Sequence, residues 1–205
     1  MIHWRPFTCW EACMGRPRRT LKLLRTIALE HASVAHPDLA SMARELGQLV
    51  HRDSAAIAAR LARLPRRGQG LGRWLLAQRN QPQVSVLVMA WPANHCTPVH
   101  DHAGLWGLEL TLVGALEVQS WRRDPDSGNL RALGHDWLGP GDGIWFEGDP
   151  NHVHRCRNLS QHETALTLHV YGGELNRYQS YEQVLPTGPW TARTTECAMA
   201  GHWPA

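Results

Sequence analysis

Apolar residues fall on two different periods in this chain. Between residues 21 and 64 they recur at helical spacing. Leu21 to about His31 reads as one helix with Thr20 as its cap, and His36-Pro37-Asp38 breaks the pattern. A second helix starts at Pro37 or Asp38, where Leu39, Met42, Leu46 and Val50 mark one apolar face. The Ala-rich stretch from Ser54 to Leu64 reads as a further helix ended by Pro65, and Gly68, Gly70 and Gly72 mark a loop. Residues 1–20 show no clear period and are expected to form a loosely held arm.

After Gly72 the period shortens to that of strands. Val84–Trp91 reads as one strand, Leu105–Trp121 as two joined near Gly114, and Glu163–Tyr171 as another. Gly139-Pro-Gly-Asp-Gly143 is a tight turn before Ile144-Trp-Phe146. Short strands between Gly/Pro turns predict a mainly β protein, a sandwich or barrel, with a helical segment before it. The expected layout is an N-terminal helical segment over 1–70 packed on a β-barrel over 71–205, forming one structural unit. A chain of 205 residues is long enough for that.

Composition narrows the function. Net charge is +3, and the basic residues are scattered except for Arg16-Pro17-Arg18-Arg19 and Arg66-Arg67, which read as solvated ends of the helical part. A nucleic-acid partner is not expected. The five cysteines form no CxxC pair, so neither a disulfide framework nor a Cys-based zinc site is indicated. The N-terminus carries no apolar signal region and no stretch approaches a membrane span, which points to a reducing cytoplasm and no membrane partner. The unusual components are 13 His and 10 Trp, with eight of the histidines between His95 and His169. That concentration raises the expectation of a metal site.

The sharpest local signal is Pro98-Val99-His100-Asp101-His102. Residues i and i+2 of a strand share a face, so His100 and His102 can offer two imidazoles to one ion, although two surface histidines would show the same pattern. Asn151-His152-Val153-His154-Arg155 supplies a third candidate, either His152 or His154. Imidazole suits Fe, Zn, Cu and Ni alike. Glu109 stands seven residues after His102, and this spacing argues against a pattern of two His and one carboxylate. In Thr167-Leu168-His169-Val170-Tyr171 a hydroxyl, an imidazole and a phenol alternate on one face, as a hydrogen-bond relay or as mutually satisfied barrel-lining groups.

Together these segments resemble bacterial thiol dioxygenases of the cysteine dioxygenase type. The resemblance lies in Trp91-Pro-Ala-Asn-His-Cys-Thr-Pro-Val-His-Asp-His102 with Leu105-Trp106-Gly107, in His154-Arg155-Cys156-Arg157-Asn158, and in Leu168-His169-Val170-Tyr171-Gly172, in the family's order. It covers roughly residues 70–175. It implies a cupin β-barrel (jelly roll) holding mononuclear Fe(II), with a thiol and O2 as partners and a sulfinic acid as product. By this resemblance His100, His102 and His154 bind the iron, which favours His154 over His152. His169 and Tyr171 orient substrate and oxygen, and Thr167 keeps the hydroxyl where the family has Ser. Gly107 stands where animal members carry a Cys joined to the Tyr, so no thioether is expected. Arg73 matches the Arg that holds the substrate carboxylate, and Arg177 is a second candidate for that task. Cysteine, 3-mercaptopropionate and mercaptosuccinate all fit this reading. The alternatives are a three-His cupin oxygenase acting on a carbon substrate and a non-enzymatic metal-binding cupin, which would need no Thr167-His169-Tyr171 relay.

Overall fold

The computed structural model describes residues 16–61, 70–183, 185 and 188–202. The expected arm, apart from its last residues, the end of the Ala-rich helix with Pro65, and Arg66-Arg67 lie outside them. Among the described residues, two helices come first. Helix α1 spans Arg16–His31 and α2 spans Leu39–Leu61. Thr20 therefore lies inside α1 and is not its cap. Its buried hydroxyl donates to Asp53 Oδ2 at 2.8 Å. Asp53 is the one residue in α2 with non-helical backbone angles (φ −114°, ψ 17°), so the stretches expected as two helices are joined through a kink there. Asp38 caps α2, accepting from the Ser41 amide at 3.0 Å.

Among the described residues, twelve strands follow in two six-stranded sheets. They are β1 (Gly72–Asn80), β2 (Gln83–Trp91), β3 (Val99–His100), β4 (Gly107–Val113), β5 (Leu116–Arg123), β6 (Leu130–Leu138), β7 (Gly143–Phe146), β8 (His152–Asn158), β9 (Ala165–Tyr171), β10 (Arg177–Gln183), β11 (Trp190–Glu196) and β12 (Gly201–His202). One sheet runs β12-β1-β2-β9-β4-β7 and the other β11-β10-β3-β8-β5-β6. This is the jelly-roll barrel expected from the sequence. The turn between β4 and β5 falls at Gly114, whose φ of +84° suits glycine.

Strand alternation explains why the first sheet is buried on both sides. In β2, Val84, Val86 and Val88 join Leu108, Leu110 and Leu112 of β4 and Leu166, Leu168 and Val170 of β9 in a core with Leu24, Met42, Leu46 and Val50 of the helices. The helices cover this outer face. The intervening residues Leu87, Met89 and Trp91 join Leu116, Val118, Phe146, Cys156 and Tyr171 in a second cluster inside the barrel. Fully burying a side chain such as Leu or Val stabilises by about 1.5–3 kcal/mol, so the helical cover is integral to the sheet behind the site. Contact is close where α2 meets the Gly139–Gly143 turn: a Cβ on Gly47 would lie 2.5 Å from the Gly141 carbonyl oxygen. No helix among the described residues is long and apolar enough to cross a membrane.

Candidate metal centre

The site is built from interior-facing positions of β3, β4, β8 and β9. His100 and His154 are direct partners across β3 and β8. His102 lies two residues past the end of β3, so the expected strand carries only the first of the two imidazoles. Asp101 places the second. Its buried carboxylate accepts from the Tyr181 hydroxyl at 3.0 Å, the Gln179 amide at 3.0 Å and the Ala103 amide at 3.1 Å. Ala103 (φ 53°) and Gly104 (φ 76°) then turn the chain toward β4.

The rings of His100, His102 and His154 converge, with centroids 4.6 to 5.2 Å apart, and one ligand nitrogen from each lies within 4.8 Å of the other two. The Pro98 carbonyl can only accept, so His100 Nδ1 donates to it at 3.0 Å and leaves the Nε2 lone pair free. Both nitrogens of His102 and of His154 are buried without a hydrogen-bond partner. A neutral imidazole carries one such lone pair, which is costly to bury unoccupied, and a metal ion would fill it on each ring. Loss of water around the ring, with His102 beside it, lowers the His100 pKa to about 4. Burial also holds His154 well below the ordinary histidine value, against the pull of Glu109. Both rings are thus neutral, as ligation requires. His152 stacks on Phe146 with its ring 6.0 Å from that of His154.

Glu109, whose spacing from His102 argued against a pattern of two His and one carboxylate, stands beside these rings. It is 4% exposed, and its Oε1 lies 3.5 Å from His102 Nε2, 3.5 Å from His154 Nε2 and 3.3 Å from His169 Nδ1. Burial opposes its ionisation. The neighbouring imidazoles of His154 and His169 outweigh that and hold the carboxyl well below its ordinary value. The spacing argument counted residues from His102. The usable signal was alternation: in Gly-Leu-Glu-Leu-Thr-Leu, residues 107, 109 and 111 share the face opposite the leucines. The register sets these three directly against Tyr171, His169 and Thr167 of β9.

The β9 row forms a continuous relay. Trp91 Nε1 can only donate, and it does so to Thr167 Oγ1 at 2.8 Å. Thr167 Oγ1 is 2.7 Å from His169 Nε2, His169 Nδ1 is 2.8 Å from the Tyr171 hydroxyl, and that hydroxyl donates to Glu109 Oε1 at 3.3 Å. One polarity satisfies every step: the Thr167 hydroxyl donates to Nε2, and Nδ1–H donates to the phenol oxygen. Burial, together with Glu109, pushes the Tyr171 phenol well above its usual pKa, so it stays a donor. Cys156 Sγ donates to Glu109 Oε2 at 3.6 Å, and burial with that carboxylate keeps the thiol protonated.

Arg73 is buried at 7% exposure, with Nη2 donating to the Leu175 carbonyl at 3.0 Å and Nη1 without a partner. Its charge acts on Tyr171 and Tyr178, and the Tyr178 ring is 5.0 Å from that of His100. Arg177 is exposed and lines a pocket of about 220 Å³ with Asp101, Ala103, Tyr178, Gln179 and Thr194.

Barrel, convergent imidazoles and relay together define a cupin metal site. The family Cysteine dioxygenase type I matches residues 53–184. The chain belongs to this family. No curated protein matches it. Among solved structures it is similar to a protein from Thermus thermophilus (21% identity, 54% of this chain and 91% of that one, TM-score 0.42). It is also similar to the cupin domain of Schizosaccharomyces pombe Cnp3 (14% identity, 56% and 67%, TM-score 0.43). A third is KdgF from a Halomonas species (18% identity, 52% and 82%, TM-score 0.37).

Proposed function

We propose that the chain is an Fe(II)-dependent thiol dioxygenase acting on a small mercapto-carboxylate such as cysteine or 3-mercaptopropionate. The reaction converts RSH and O2 into RSO2H. Sulfur is oxidised by four electrons, O2 is reduced by the same four, and both oxygen atoms stay in the product. His100, His102 and His154 would hold the metal, and their unpartnered nitrogens suit it. When bound, Fe(II) supplies a redox-active centre at which a thiolate and O2 meet.

The observation that carries the substrate class is the unpartnered Nη1 of buried Arg73. A guanidinium fork matches a carboxylate with two parallel hydrogen bonds. The Arg73 side chain shares the barrel interior with Tyr171 and Tyr178, and this supports a carboxylate held there while its thiol reaches the imidazoles. His169 and Tyr171 orient the substrate and hold protons at Nδ1 and the phenol oxygen, while Thr167 and Trp91 fix the tautomer of His169. The apolar wall of Leu87, Met89 and Leu175 limits water.

The test compares wild type and Arg73→Gln, both Fe(II)-loaded, on 3-mercaptopropionate and on neutral 2-mercaptoethanol. Hydrogen bonds to charged groups are worth about 1.5–3 kcal/mol, so the variant should lose at least about tenfold in kcat/KM on the acid and far less on the alcohol. Equal losses on both would make Arg73 structural and direct attention to Arg177. A second reading, oxygenation of a carbon substrate, draws on Glu109, because three imidazoles with a carboxylate form the donor set expected of such cupins. Oxygen uptake that needs no thiol would favour it.

A further inference from the structure

We propose that β6 is a self-pairing edge. Two copies of this chain join by antiparallel pairing of their Leu130–Leu138 strands, with Arg131 of each copy opposite the partner's Asp136.

The first argument is the free edge. β6 ends its sheet, and among the described residues its backbone pairs with β5 alone. Arg131 to Trp137 are all exposed, with Leu133 at 48% and Trp137 at 66%. One row of amides and carbonyls is therefore open to another strand. The devices that usually blunt such an edge are missing. At nine residues β6 is long for an edge strand, and it contains no Pro or Lys. The strands that end the sheets elsewhere have two residues in β12, four in β7 and seven in β11, whose residues after Trp190 are mostly polar.

The second argument is register. The ladder with β5 slips by one residue: Ala132 stands opposite Trp121 and Gly134 opposite Ser120, so Leu133 is a bulge. In a regular strand, residues five or seven apart face opposite ways. The bulge reverses that. Arg131 and Asp136, opposite Arg122 and Val118, share one face, and Leu130 and Trp137, opposite Arg123 and Glu117, share the other. Residues opposed across an antiparallel pair must share a face. A two-fold axis between Leu133 and Gly134 satisfies this for both sets at once. It puts Arg131 against the partner's Asp136, Leu130 against the partner's Trp137 and Ala132 against the partner's His135, and symmetry repeats each pair.

The third argument is charge. Arg131 and Asp136 have no ion-pair or hydrogen-bond partner among the described residues. Charges of one sign along an edge repel a second copy. Here opposite signs fall at the positions that the axis brings together, so the edge is complementary to itself, as a two-fold interface requires. The apolar pair beside them covers the most exposed tryptophan on the strand. The pairing depends neither on the metal nor on the reaction.

Sedimentation velocity of wild type from about 1 to 200 μM reads the association. A dimer is expected within this range, and a monomer throughout overturns the proposal. Arg131→Glu and Asp136→Arg each turn both ion pairs into like-charge contacts and should weaken the dimer at least about tenfold. An equimolar mixture of the two variants restores opposite charges at both positions and should dimerise within about threefold of wild type. Wild-type association in either single variant, or no recovery in the mixture, overturns the proposal. Hydrogen exchange on wild type needs no variant to fold. Amides of residues 130–138 should exchange about tenfold more slowly at the high concentration than at the low one. A dimer that leaves their exchange unchanged is built on another surface and overturns the assignment to β6.

Discussion

Glu109 and His169 stand directly opposite each other across β4 and β9, with Oε1 3.3 Å from Nδ1. The pair ties the metal-facing row of one strand to the relay on the next. Tyr171 completes the triangle by accepting from His169 and donating to Glu109. Tyr171→Phe removes the donated proton and keeps the ring. It should lower kcat by about tenfold or more, the usual scale for a positioned proton donor, with metal content unchanged. Metal analysis beside the kinetics checks this, and loss of metal would show that the phenol holds the site together.

On the proposed reading, the three imidazoles of His100, His102 and His154 would carry the metal. His100→Ala, His102→Ala and His154→Ala should each leave the purified protein with little metal, while His152→Ala keeps it. Elemental analysis of the four variants decides the matter. Loss in His152→Ala with retention in His154→Ala would move the third ligand by one pleat.

Tyr171 should carry no thioether. A Cβ built on Gly107 would lie 2.4 Å from Phe146 Cζ and 2.9 Å from Tyr171 Cδ1, so Gly107 adjoins the Tyr171 ring but brings no sulfur, and Phe146 fills the space. The nearby Cys156 thiol is held protonated and is spent on Glu109. Intact mass should equal the sequence mass. A deficit of two hydrogens mapped to a peptide pair containing Tyr171 would contradict this.

Tyr181 would support the proposed metal site without touching it. Its hydroxyl donates to Asp101, which shapes the segment between His100 and His102. Tyr181→Phe should cost about 1.5–3 kcal/mol of stability, as expected for a hydrogen bond to a charged group, and should weaken metal binding. Burial and Asp101 push the Tyr181 phenol up to about 12 from 10.0. The folded state therefore favours the neutral phenol. This contribution is whole below pH 10 and is lost as pH rises from 10 toward 12. Thermal melts of wild type and variant should converge across that window, and parallel curves would show that the bond is not made in solution.

Much of this architecture was legible in the sequence. Leu39, Met42, Leu46 and Val50 announced the helix face that packs on the sheet, and all four are buried. The Thr167-His169-Tyr171 row could be read because alternation is a strict property of strands, whereas alternation alone left His152 and His154 both open as the third histidine. Three features were not legible. His102 leaves β3, because Asp101 finds its partners some 80 residues away in β10, which no local pattern reveals. Thr20 sits within α1, bonded to Asp53 in α2, a pairing made only by tertiary packing. Glu109 was set aside because it was counted along the chain from His102, when what matters is its register against His169.

The most direct measurement is oxygen uptake by the Fe(II)-loaded protein against a panel of small thiols, with products identified by mass. The account predicts uptake that requires a thiol, is fastest with mercapto-carboxylates, and yields one sulfinic acid per O2 consumed. Uptake without a thiol, or none with any thiol in protein that holds its metal, would contradict it.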